Sequence, residues 1–125
     1  MAQTNDAAMA TRNLLRSYYD GLARGTDWGA LLTDEFLLTG TVPNETRSRD
    51  AYVGNSFFKL VRGLRVEELI TEGTSGFALV SYDLVSPKGT PFSSEVAELW
   101  KVQGGKLGSV AIYFDTSAFA KSLAQ

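Results

Sequence analysis

The chain has neither histidine nor cysteine. The missing cysteines exclude disulfides, thiolate nucleophiles and thiolate metal sites. The missing histidines exclude the commonest general base and the commonest transition-metal ligand. Any acid–base chemistry is left to carboxylates, tyrosine hydroxyls, lysine, arginine and backbone groups. An excess of either charge is missing as well: 12 Lys plus Arg stand against 14 Asp plus Glu, a net charge of −2 scattered along the chain. With no basic stripe to follow a phosphate backbone, nucleic acid is not an expected partner. No apolar run approaches the roughly 18 residues of a membrane span, and the opening "MAQTNDAAMATR" lacks the basic start and apolar centre of a signal peptide. A cytoplasmic protein without a membrane partner is therefore expected. No carboxylate cluster has metal-ligand spacing, so neither a metal nor another cofactor is expected.

What is present suits one globular domain over residues 1–125. The chain is 44% hydrophobic and 21% charged, long enough for a single core and too short for two. From Ala7 to Arg24, Thr11, Leu15, Tyr18, Tyr19 and Leu22 recur at helical spacing, and Gly25 follows as a left-handed cap. Thr26 or Asp27 can cap a short second helix through Trp28, Leu31 and Leu32. "FLLTGTV", Phe36 to Val42, reads as a strand ending at Pro43, and Ser48 can cap a third helix that carries Val53, Phe57, Phe58, Leu60 and Val61 and closes at Gly63. Four strands follow: "LRVEELITEG", "GFALVSYDLV", "FSSEVAELWKV" and "LGSVAIYF". Short glycine-bearing turns join them, which implies an antiparallel meander. Asp115 or Thr116 can cap a final short helix, "TSAFAKSLAQ". Helices first and strands afterwards describe an α+β domain whose curved antiparallel sheet packs on three N-terminal helices.

Period-two rows name the inward face of each strand. They are Ala78, Val80, Tyr82 and Leu84; Val110, Ile112 and Phe114; and Val96, Glu98, Trp100 and Val102. A single carboxylate stands among these apolar side chains. A carboxyl group aimed into an apolar interior has its charged form disfavoured, which suits it to act as acid, base or hydrogen-bond donor. Otherwise it is a structural glutamate paired with a cation of the third helix or bonded to Tyr19 or Tyr82. The opposite rows are less polar than a solvated face would be, with Phe77, Leu79, Ala97 and Leu99 beside Ser81, Asp83, Glu95 and Lys101. A homodimer packed sheet to sheet is expected to cover them.

The element order, with "YYDGLARGTDWGALLTDEFLLTG" at one end and "ELWKVQGGKLGSVAIYFDTSAF" at the other, resembles the nuclear transport factor 2-like superfamily. Within it, the chain is similar to the SnoaL-like group, which includes polyketide cyclases and lies near ketosteroid isomerase. The resemblance implies a cone-shaped, cystatin-like roll whose sheet and helices enclose a largely apolar cavity for a small hydrophobic molecule. In members similar to the isomerase, a tyrosine of the first helix and a protonated acid on the penultimate strand donate to a substrate oxygen. Tyr19 falls at the matching tyrosine, and Glu98 at the matching acid if one residue is dropped from the glycine turn. The isomerase's base, an aspartate at the end of the first strand, is matched by Gly40, which cannot accept a proton. Cyclases of the SnoaL-like group use an acid near the last strand. Asp115 is the carboxylate there, although its row points away from Val110, Ile112 and Phe114 and its sequence suits a helix cap.

The expected catalytic pair is thus Glu98 and Tyr19. Tyr82, Trp100, Phe36, Phe57, Phe58, Val80, Ile112 and Phe114 are expected as pocket wall or core. The function implied is binding of a small apolar molecule, with proton-transfer chemistry such as isomerisation, cyclisation or dehydration. A non-catalytic ligand-binding or dimerising accessory domain is the alternative.

Overall fold

A computed structural model describes residues 2–41 and 48–125. Helix α1 spans Ala2–Arg24 and ends at Gly25, whose positive φ of 71° supplies the left-handed cap. Thr11, Leu15, Tyr18, Tyr19 and Leu22 are all buried, so the apolar stripe read at helical spacing is the face laid on the sheet. The expected second helix is a single 3-10 turn, Trp28–Leu31. The first strand starts earlier than its apolar run suggests: β1 spans Leu32–Gly40 and includes the exposed Asp34 and Glu35. Val42 and Pro43, expected at its end, lie outside the described residues.

Ser48 caps a helix as expected, its hydroxyl accepting from the Ala51 amide. The helix does not run on to Gly63. It breaks at Gly54–Ser56 into α2 (Arg49–Val53) and α3 (Phe57–Leu60), and strand β2, Val61–Glu72, begins where the helix was to continue. Asn55 sets the break, since its side-chain oxygen accepts from the Phe57 amide at 2.8 Å. Short polar side chains compete in this way with helical backbone bonding.

Strands β3 (Ser75–Val85), β4 (Pro91–Gln103) and β5 (Lys106–Tyr113) complete the meander, and α4, Thr116–Leu123, closes the fold. The five-stranded sheet has the order β1-β5-β4-β3-β2. It is not wholly antiparallel, because β1 joins β5 in parallel at one edge. No turn signal precedes such a pair, since its connection is the whole meander. Gly76 lets α1 approach the sheet: a methyl group added there would meet Leu15 Cδ1 at 2.4 Å. Near Gly76 the interior is therefore filled by α1, whereas the far ends of β3 and β4 are not covered in this way. Among the described residues no helix is long and apolar enough to cross a membrane.

Candidate functional site

Glu98 pairs across the sheet with Ala78 of β3 and Ile112 of β5, so its neighbours on the inward face are apolar, and it is only 2% exposed. Its polar partners come from two elements. Tyr19 of α1 donates its hydroxyl to Oε1, and Tyr82 of β3 donates to Oε2 at 2.7 Å. Tyr82 lies opposite Ser94 rather than Glu98 in the strand register, and its ring reaches along the inward face to the carboxyl group. Trp100 donates its indole Nε1–H to the Tyr19 hydroxyl at 2.9 Å, fixing that ring in turn. The result is a chain of donors converging on one carboxylate.

Two opposing effects set its protonation. Removal from water penalises the anion, while the two tyrosine hydroxyls stabilise it. Desolvation wins, and the Glu98 pKa is raised to about 7. Burial also pushes Tyr18, Tyr19, Tyr52 and Tyr82 well above 10; for Tyr19, Tyr52 and Tyr82 the charge of Glu98 is the next cause. At neutral pH the tyrosines are therefore neutral donors, and Glu98 is the group poised to gain or lose a proton.

A cavity of about 240 Å³ opens beside this carboxyl group. Phe57 and Phe58 of α3, Ile112 of β5, Phe114 and Phe119 form much of its apolar wall, together with Leu38 and Val96. Tyr52, Asn55, Tyr82 and Glu98 are its polar lining residues. Six expected residues thus meet in one wall: Glu98, Tyr82, Phe57, Phe58, Ile112 and Phe114. Phe36, Val80 and Trp100 do not line it; they are packed in the core behind it, at most 1% exposed. Tyr19 likewise lies behind the wall and acts on the cavity through its bond to Glu98. Row parity gives the face of a strand but not the depth along it, and α1 fills the end of the face where Trp100 sits.

Asp115 is exposed, and its Oδ1 accepts from the Ala118 amide at 3.0 Å as the cap of α4. It anchors the helix that carries Phe119, whose ring meets those of Phe57, Phe92 and Phe114 at 5.4–6.0 Å. Sequence reasoning did not single out Leu38, Tyr52, Asn55, Val96 or Phe119 as wall residues. Val96 was already legible on the inward row. On the short α2 the inward residue is Tyr52, 3% exposed, and not the expected Val53, which is 40% exposed.

Gly40 is held by more than the absence of a side chain. Its φ is 111°, and a Cβ there would lie 2.1 Å from the Ile112 carbonyl oxygen and 2.5 Å from the Ile112 amide nitrogen. The strand pairing itself leaves no room for a carboxylate at this position.

No family model and no curated protein sequence matches the chain. Solved structures do. A candidate SnoaL-like polyketide cyclase from Jannaschia sp. CCS1 superposes with a TM-score of 0.79 at 13% identity, over 94% of each chain. TerC, crystallised with polyporic acid, gives 0.78 at 15% identity, over 93% of this chain and 99% of that one. A LEH-like epoxide hydrolase of M. tuberculosis gives 0.74 at 16% identity, over 94% of this chain and 91% of that one. The protein has the nuclear transport factor 2-like fold. At these identities the likeness is one of fold, and many unrelated functions share such a scaffold. Within this nuclear transport factor 2-like fold, the cavity presents one carboxyl group, two tyrosines and one asparagine in an otherwise aromatic and aliphatic wall.

Proposed function

We propose that the protein binds a small apolar molecule in the cavity beside Glu98 and moves a proton on it, with Glu98 as the acid–base group. The observation that carries this is a single one: a fully buried carboxyl group, raised to about 7, facing an apolar cavity while both its oxygens are held by tyrosines. A base works best when its pKa lies near the operating pH, and burial has brought Glu98 there. The reaction classes that need one such group and no cofactor are isomerisation, aldol-type cyclisation and dehydration at a carbon next to a carbonyl. The epoxide hydrolase and the candidate cyclase on the same fold, and TerC crystallised with polyporic acid, are consistent with a small organic ligand.

A test is incorporation of deuterium from D2O into apolar ketones, followed by mass spectrometry. Wild-type protein should catalyse exchange next to the carbonyl of 2-tetralone or cyclohexenone, and Glu98→Gln should reduce it to the uncatalysed rate. Equal exchange by the two proteins would remove Glu98 from the chemistry. The second reading, a non-catalytic ligand carrier, is favoured by the closed backbone at Gly40, which leaves the described cavity wall with no second acid. A wild-type protein that binds these ketones without exchanging them would select the carrier.

The same proposal includes a homodimer through the outer sheet face. Ile70, Phe77, Leu99 and Ala111 align across four strands, with Leu79, Ala97 and Tyr113 in the next row. Ile70, Leu99 and Tyr113 are 41–59% exposed. Along β4, Glu95 and Lys101 flank this patch at opposite ends. A two-fold axis through its centre sets Lys101 of one copy against Glu95 of the other, so the surface is complementary to itself. Sedimentation velocity should give twice the 13.6 kDa chain mass, and Leu99→Glu should give the monomer. A wild-type protein sedimenting as a monomer would overturn the dimer.

A further inference from the structure

The cavity holds a second polar device beside Glu98. The hydroxyls of Tyr18, on α1, and Tyr52, on α2, are 2.5 Å apart. Geometry alone permits either to donate, but burial decides between them. Tyr18 is fully buried and does not line the cavity, and Tyr52 is its sole hydrogen-bond partner among the described residues. If Tyr52 donated, the proton of Tyr18 would be left without an acceptor in the core, at a cost of about 1–3 kcal/mol. Tyr18 therefore donates, and Tyr52 accepts.

The proton of Tyr52 then has no acceptor among the described residues, and Tyr52 lines the cavity. The other tyrosine of the wall is committed, since Tyr82 donates to Glu98. Tyr19, which the isomerase resemblance makes a donor to substrate, is committed in the same way. Of the two tyrosines that line the cavity, Tyr52 is the one whose O–H has no acceptor among the described residues.

We propose that Tyr52, oriented by Tyr18, is the hydrogen-bond donor to the carbonyl oxygen of the ligand, and that Glu98 is the base rather than a second donor. This rests on the proton-transfer reading of the site. It narrows the ligand to a ketone whose oxygen reaches Tyr52 while a C–H next to the carbonyl reaches Glu98. In the step, a Glu98 oxygen forms an O–H bond to the departing proton. The C–H electron pair becomes the new C=C bond, and the carbonyl π pair moves onto oxygen, where the Tyr52 O–H holds the developing charge. Reversal returns a proton to carbon, so nothing is oxidised or reduced.

The infrared carbonyl band of bound 13C=O-labelled 2-tetralone reads the donor directly, with cyclohexenone as a smaller second probe. In wild-type protein the band should shift to lower wavenumber than in hexane. Tyr52→Phe, which keeps the ring, should abolish most of that shift and slow deuterium exchange about 10²-fold. Tyr18→Phe, a change in a positioning residue that does not touch the ligand, should reduce the shift partly and broaden the band. Thermal unfolding checks that each variant keeps its fold, and Tyr82→Phe, equally conservative, should leave the shift in place. A shift that survives Tyr52→Phe undiminished, or that disappears in Tyr82→Phe instead, overturns the assignment of Tyr52 while leaving Glu98-dependent exchange intact. Failure of both ketones to bind wild-type protein overturns the assignment and the function it rests on together.

Discussion

Glu98→Gln is expected to be more stable than the wild-type protein at pH 8 by about 3 kcal/mol, and to have no such advantage at pH 4. Glu98 has a folded-state pKa raised from 4.5 to about 7. An acid whose pKa is raised by folding binds its proton more tightly in the native state than in the unfolded chain. Between pH 4.5 and 7 the native state therefore holds more protons, and stability falls as pH rises through that window. The loss is complete above the folded pKa, and a separation of about 2.5 units corresponds to roughly 3 kcal/mol. Glutamine has the same shape, has no charge to desolvate and can still accept from Tyr19 or Tyr82. The variant should lack this pH-dependent loss, with a Tm at pH 8 on the order of 10 °C above the wild type. Urea unfolding of both proteins from pH 4 to 9 tests this. Parallel curves across the window would mean that Glu98 does not titrate there. A more stable protein without exchange activity would be the usual relation between a strained functional group and the fold that holds it.

Gly40→Asp should destabilise the protein by about 3 kcal/mol or more rather than supply a second acid beside Glu98. The added Cβ would lie 2.1 Å from the Ile112 carbonyl oxygen, an oxygen that already accepts from both the Thr41 amide, at 2.8 Å, and the Thr41 hydroxyl, at 3.1 Å. Relieving that overlap costs about 1–3 kcal/mol by the general cost of overpacking. The backbone at φ 111° adds about 1–3 kcal/mol for any residue with a side chain. Against a total stability of roughly 5–15 kcal/mol this is severe. Gly40→Ala should be nearly as damaging, because the conflict begins at the first carbon. An alanine variant with an unchanged urea midpoint would show that β1 can shift away from β5, and would reopen the position to a side chain. Ile112 also lines the cavity, so a shift large enough to admit Cβ should weaken ligand binding as well.

Much of the fold was legible because its signals are local. Alternation of Cβ atoms along a strand placed Glu98, Trp100, Val80 and Tyr82 on one face, and all four are buried. The helical spacing of Thr11, Leu15, Tyr18, Tyr19 and Leu22 named the face of α1 that meets them. The hydrogen bonds that Asn55 makes around the break in the third helix, and the parallel edge formed by β1, depend on geometry that no periodicity records.

The sequence by itself determined that a single carboxylate would share the inward row with apolar side chains, and that position 40, which the resemblance matches to the isomerase's base, is a glycine. Only the tertiary structure decided how far each inward residue lies from open space. Trp100 shares the inward row of the wall residues yet sits under α1, its ring against those of Tyr18 and Tyr19, because Gly76 lets that helix descend onto one end of the sheet. Only the fold, too, brought Tyr19 to a carboxylate 79 residues away and Tyr18 to a hydroxyl 34 residues away. The physical reason is that side-chain direction is set by the backbone of a few neighbouring residues, whereas the distance between two directions that converge is set by how whole elements pack.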